Sequence, residues 1–120
     1  MSDQISKLPP QVQERLLRFQ QLQQTMQSVL AQKQQVEMEK IEVEQTLNEL
    51  KKTGEDAVIY KTAGSLLIKA EKTKLTEELV ERQELLTTRS TVLTKQEERT
   101  RSQVKDAQTK LQADLKPVSI

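Results

Sequence analysis

The sequence predicts a mainly α fold: a long antiparallel two-helix coiled coil joined by a single β-hairpin that contributes to an oligomeric β-barrel. Three observations point there. Two stretches of about 40 residues carry apolar side chains at spacings of three and four, the signature of a helical seam. A short β-branched stretch with a glycine near its centre lies between them. Of the 120 residues, 34% are hydrophobic, 2% aromatic and 31% charged. That is too little apolar material for an ordinary compact core, but enough for one narrow stripe.

The first helix is expected over about residues 10–52. Leu8-Pro9-Pro10 suits a helix start, because proline is tolerated in the first turn and restricts the residue before it. With Val12 at heptad position a, the a/d series passes through Phe19, Leu22, Met26, Val29, Val36, Val43, Leu47 and Leu50. Arg15, Lys33 and Lys40 are its polar members. Lys33 and Lys40, with Arg82 and Arg89 on the second helix, are expected to lay their stems along the seam and keep their charges in water. Lys51-Lys52-Thr53-Gly54 reads as the stop: cations meet the negative helix end and Gly54 takes the left-handed cap.

The hairpin is expected over about residues 56–70. Ala57-Val58-Ile59-Tyr60 and Leu66-Leu67-Ile68 bracket a Gly64-containing turn, with β-branched and aromatic residues on both sides. The second helix is expected over about 73–115, with Thr73 as N-cap and Pro117 as the stop. Leu75, Leu79, Leu86 and Leu93 hold a heptad-compatible register. A polar run from Lys95 to Gln103 then intervenes and reads as a solvated face, before Val104, Ala107, Leu111 and Leu115 resume the pattern. The spacing from Leu93 to Val104 reads as a stutter that unwinds the supercoil. Folding the helices back sets Leu50 opposite Leu75, Val43 near Arg82 and Phe19 near Lys105 or Asp106. The expected arm is tightly seamed near the hairpin and thinly seamed at its far end.

Composition also excludes chemistry. With no His and no Cys, ordinary zinc sites, Ser-His-Asp triads, thiol nucleophiles and disulfides are ruled out. Gly54 and Gly64 are the only glycines and lie too far apart for a phosphate-cradling loop. No enzyme activity, metal or cofactor is expected. The opening MSDQISKLPP lacks a basic region followed by an apolar run, and no apolar stretch approaches about 18 residues. The reading is a soluble, cytoplasmic protein. A net charge of +1 argues against nucleic-acid or membrane partners.

The hairpin makes association a physical requirement. Val58, Ile59, Tyr60, Leu66, Leu67 and Ile68 have nothing left in the chain to cover them, and each is worth about 1.5–3 kcal/mol on burial. A lone two-stranded hairpin is marginal in water, and its unpaired edges invite further strands. Hairpins of several chains are therefore expected to join in a shared sheet or barrel. These residues and Gly64 form the oligomerisation element.

Helix, then Asp56-Ala57-Val58-Ile59-Tyr60-Lys61 to Gly64, Leu66-Leu67, then helix resembles the β-type subunits of the prefoldin family, archaeal ones above all. The resemblance runs from Leu8 to about Leu115, so residues 1–120 are read as a single prefoldin-like domain. It implies a hexamer of two α and four β subunits, with a double barrel of hairpins and projecting coiled coils. It also implies an ATP-independent holdase that takes unfolded proteins at the arm tips and delivers them to a group II chaperonin. The Gln-rich first helix departs from the Glu/Lys-rich helices of thermophilic members, which implies a less stable arm at high temperature.

Client-binding tips are expected where apolar residues exceed the needs of the seam. Ile5, Leu8, Leu16 and Leu17 lie before or beside the series containing Val12 and Phe19; Leu111, Leu115, Val118 and Ile120 sit at the other chain end. Ile5, Leu8, Val12, Leu16, Phe19, Leu111, Leu115, Val118 and Ile120 are the candidate contacts. Val12 and Phe19 also fit the seam, and the residues outside the periodic region also fit frayed, idle termini. The competing class is a coiled-coil scaffold or tether with no client-holding activity. A helical-arm RNA binder is disfavoured because Arg82, Arg89, Arg99 and Arg101 are interleaved with Glu81, Glu84, Glu97 and Glu98.

Overall fold

The computed structural model describes residues 7–115. Helix α1 spans Pro10–Lys52, strand β1 Ile59–Ala63, strand β2 Leu66–Ala70 and helix α2 Lys72–Leu115. The strands form a two-stranded antiparallel sheet between the helices in sequence, as the β-branched and aromatic runs around Gly64 predict. The chain divides into two compact units: a terminal unit of residues 1–33 and 93–120, and a central unit of 34–92 that contains the hairpin.

The helix ends have identifiable causes. The Pro9 carbonyl accepts the Val12 and Gln13 N–H groups, both at 3.0 Å, and the Gln13 side-chain amide donates to the Leu8 carbonyl at 2.7 Å. Orphan groups at the start of α1 are thereby satisfied. At its other end the Leu50 carbonyl accepts both the Thr53 N–H and the Thr53 hydroxyl, and Lys72 Nζ donates to the Thr53 carbonyl at 2.7 Å. A side-chain cap thus replaces the expected left-handed Gly54: only Gly64 has positive φ among the described residues. The Gly54 carbonyl instead accepts the Ala57 N–H in a turn. Helix α2 starts at Lys72, before the expected Thr73 cap, and its first turn closes from the Leu75 N–H to the Glu71 carbonyl. Strand β2 ends at Ala70, so Glu71 alone links it to the helix.

In the central unit the seam buries Val36, Val43, Leu47, Leu50 and Leu86, with Leu75, Leu79, Gln83 and Ser90 half-buried beside them. Arg82 reaches Glu39 at 3.2 Å and the Ser90 hydroxyl donates to Glu37 at 2.5 Å. In the terminal unit the seam buries Val12, Leu22, Val29, Leu93 and Leu111, and Val29 is only 1% exposed. The expected thin far seam is therefore corrected, since each unit buries a comparable set.

The stutter is corrected as well. Leu79, Leu86, Leu93, Thr100 and Ala107 follow one another at heptad spacing, as do Gln83, Ser90, Glu97, Val104 and Leu111, and all are buried or half-buried. The distance from Leu93 to Val104 is filled by Glu97 and Thr100, so the period of seven is unbroken. Two residues of the supposedly solvated run thus belong to the seam, and Thr100 is 4% exposed. Arg15 pairs with Asp114, and Lys33 with Glu97 at 2.8 Å. These pairs put Phe19 at the level of Lys110, one turn from the expected Lys105–Asp106, because they set the register locally.

Candidate functional site

The hairpin turns through Gly64-Ser65, a two-residue loop with Gly64 at φ 63°. No non-glycine residue described has positive φ, so the turn follows the II′ pattern, which needs glycine at its first central position and matches the strand twist. The paired residues are Ile59 with Ala70, Tyr60 with Lys69, Lys61 with Ile68, Thr62 with Leu67 and Ala63 with Leu66. Opposed residues share a face. One face therefore carries Ile59, Leu66 and Ile68 around Lys61, and the other carries Tyr60 and Leu67.

Neither face is covered by the described residues. Tyr60 is 58% exposed, Leu67 72%, Leu66 64% and Ile68 44%, while Val58, just before β1, is 62% exposed. Ile59 and Ala70 are half-buried, and Lys61 Nζ lies 3.4 Å from the Glu78 carboxylate at the start of α2. That ion pair is exposed at both ends and worth under about 1 kcal/mol. Among the described residues the sheet consists of β1 and β2, so both outer strand edges are unpaired there.

The candidate tip residues divide into groups. Ile5, Val118 and Ile120 lie outside the described residues. Val12 and Leu111 are buried in the seam, at 9% and 7% exposure. Leu8, Leu16, Phe19 and Leu115 are half-buried. Leu17, left out of the candidate contacts, is 56% exposed, and Pro10, Gln13, Leu16 and Leu17 line a shallow depression on α1. Its heptad position accounts for that exposure: Leu17 falls at f, which faces away from the partner helix.

The polar seam layer has a definite electrostatic state. Lys33 and Arg101 both donate to Glu97, at 2.8 and 3.1 Å, and these hydrogen bonds hold its carboxyl below the ordinary value of 4.5. Lys33 therefore turns its charge into a partner rather than into water, which corrects the expectation for that residue; Lys40 lies 3.9 Å from Glu37 and Arg82 pairs with Glu39. Among the described residues no cluster of acidic side chains is placed to hold a metal, and no helix is long and apolar enough to cross a membrane.

A paired-helix chain with an uncovered connecting hairpin, apolar on both faces, defines the class. The sequence profile described as prefoldin subunit matches residues 13–117. The chain is 44% identical over 109 residues to prefoldin subunit beta of Methanothrix thermoacetophila, covering 91% of each. It is 40% identical over 113 residues to prefoldin subunit beta of Pyrococcus furiosus, covering 94% of this chain and 97% of that one. Among solved structures it is similar to the prefoldin beta subunit from Thermococcus strain KS-1, with a TM-score of 0.77, 38% identity, and coverage of 91% of this chain and 96% of that one. The chain belongs to the prefoldin subunit family, a family of chaperone subunits.

Proposed function

We propose that the chain is the β-type subunit of an ATP-independent holdase, assembled from two α and four β subunits through a barrel of shared hairpins. The observation that carries this is the apolar hairpin uncovered on both faces, in a chain whose helices already bury their own seam. Five large side chains held 44–72% exposed are a strong reason to associate. The projecting helices capture unfolded proteins with the apolar residues near their ends: Leu8, Leu16, Phe19 and Leu115, with Ile5, Val118 and Ile120 beyond the described residues. Each contact is weak, and several arms acting on one client raise its apparent affinity through effective concentration. Weak contacts also permit release without nucleotide, with hand-over to a group II chaperonin in the cytoplasm. The chain performs no covalent chemistry in this reading.

Co-expression with an α-type partner, followed by native mass measurement, tests the assembly; a stable solitary chain overturns it. Replacing Leu8, Val12, Leu16 and Phe19 by Ser is expected to impair suppression of citrate synthase aggregation while the hexamer mass is kept. Because Val12 is buried, a second variant restricted to Leu8, Leu16 and Leu17 separates capture from seam damage. Unchanged suppression by both variants would favour the scaffold or tether reading.

A further inference from the structure

Net charge is divided unevenly along this chain. Residues 1–33 and 93–120 contain ten Lys and Arg against six Asp and Glu, a balance of +4, whereas residues 34–92 contain nine against twelve, a balance of −3. The overall +1 hides this polarity. Within the terminal unit a groove runs between the helices over Leu22 and Ala107, flanked by Arg18 and Lys110, with Arg15 and Asp106 also on its walls. Arg15 is neutralised by Asp114. Among the described residues, Arg18 and Lys110 are exposed and take part in no ion pair, and Asp106 is the one acidic group on the walls.

We propose that this groove makes the capture surface selective for unfolded segments in which acidic side chains flank apolar ones. The inference rests on the capture reading above and adds the class of client. Leu22 and Ala107 supply an apolar floor, and Arg18 and Lys110 supply two exposed cations without an ion-pair partner among the described residues. An acidic residue on the client gains an ion pair there, whereas a basic residue meets like charge. The occupant is a polypeptide rather than a nucleic acid because no aromatic side chain lines the groove for bases to stack on. Exposed ion pairs are individually weak, so the selectivity is a modest factor that several arms multiply and salt erodes.

The test uses the full chain assembled with an α-type partner and three fluorescent peptides of identical leucine spacing. Their polar positions carry Glu, Lys or Gln. The Glu peptide is expected to bind about three- to tenfold more tightly than the Lys peptide at low ionic strength, with the ratio approaching one in high salt. Arg18→Gln/Lys110→Gln should abolish the ratio, and Arg18→Glu/Lys110→Glu should invert it. Binding of the Gln peptide should be unchanged in both variants. Both positions are exposed and unpaired, so circular dichroism should register no loss of helix. Equal affinity for the Glu and Lys peptides, or a preference that survives both double variants, overturns the inference while leaving capture intact if the Gln peptide binds. Failure of all three peptides to bind overturns capture and the inference together. Competition by poly-uridylate equal to that by the Glu peptide, per unit charge, makes the groove a general anion site and also overturns it.

Discussion

The helical seam and the hairpin treat apolar side chains in opposite ways. Val29 is 1% exposed in the seam and Leu67 is 72% exposed in the hairpin, although the chain is short of hydrophobic residues throughout. The seam is closed by the chain's own second helix and so stabilises the arm. The hairpin's side chains contribute nothing until something covers them, so their burial free energy is held for association. On the proposed reading, one chain separates the residues that fold it from those that assemble it. Substitutions in the two regions should affect different measurements.

The largest expected effect lies in the hairpin. Replacing Tyr60, Leu67 and Ile68 by Ser removes about 1.5–3 kcal/mol of potential burial per side chain and per copy. Native mass measurement should find the assembly lost, while circular dichroism finds the helices retained. Loss of helix in that variant would show that the hairpin side chains also stabilise the arm. Next is Val29→Ala, expected to cost about 2 kcal/mol through the cavity it leaves. Thermal melting of the arm should fall, with the assembled mass unchanged at ambient temperature.

A smaller effect is expected at the turn. Gly64→Ala meets no neighbouring atom within 4 Å but must adopt φ 63°, a left-handed conformation costing about 1 kcal/mol for an L residue. Assembly should weaken measurably, and Gly64→Asn should weaken it less. The smallest effect concerns the polar layer. The ionised Glu97 carboxylate is favoured in the folded chain, so its contribution is complete above the ordinary value of 4.5 and is lost as pH falls through its depressed folded value. Lys33→Met should raise the Glu97 pKa towards ordinary, with Arg101 still holding it partly down. In the variant, the melting temperature should fall less between about pH 5 and pH 3 than in the parent. A carbon-detected titration of Glu97 reads the same shift directly.

Heptad spacing made the seam of α1 legible down to its polar members, because helical periodicity fixes which side chains share a face whatever the partner is. The same logic misread α2. There the leucine spacing skips two seam positions, because Glu97 and Thr100 are polar residues that burial alone marks as part of the seam. The facing Lys33, with Arg101 one turn on, makes Glu97 acceptable at that position. At the helix ends, apolar identity alone does not tell the buried Val12 and Leu111 from the exposed Leu17, whereas heptad position does.

By itself the sequence determined the two helices, the break between them and the turn at Gly64, since local period, propensity and backbone freedom act within a few residues. It also determined that the hairpin's apolar residues outnumber what one chain can cover. Tertiary structure alone decided which residue of α2 meets which residue of α1, that Lys33 neutralises Glu97, and that Thr53 and Lys72 close the end of α1 instead of Gly54. Those outcomes depend on where a distant part of the chain arrives, and no local pattern contains that information.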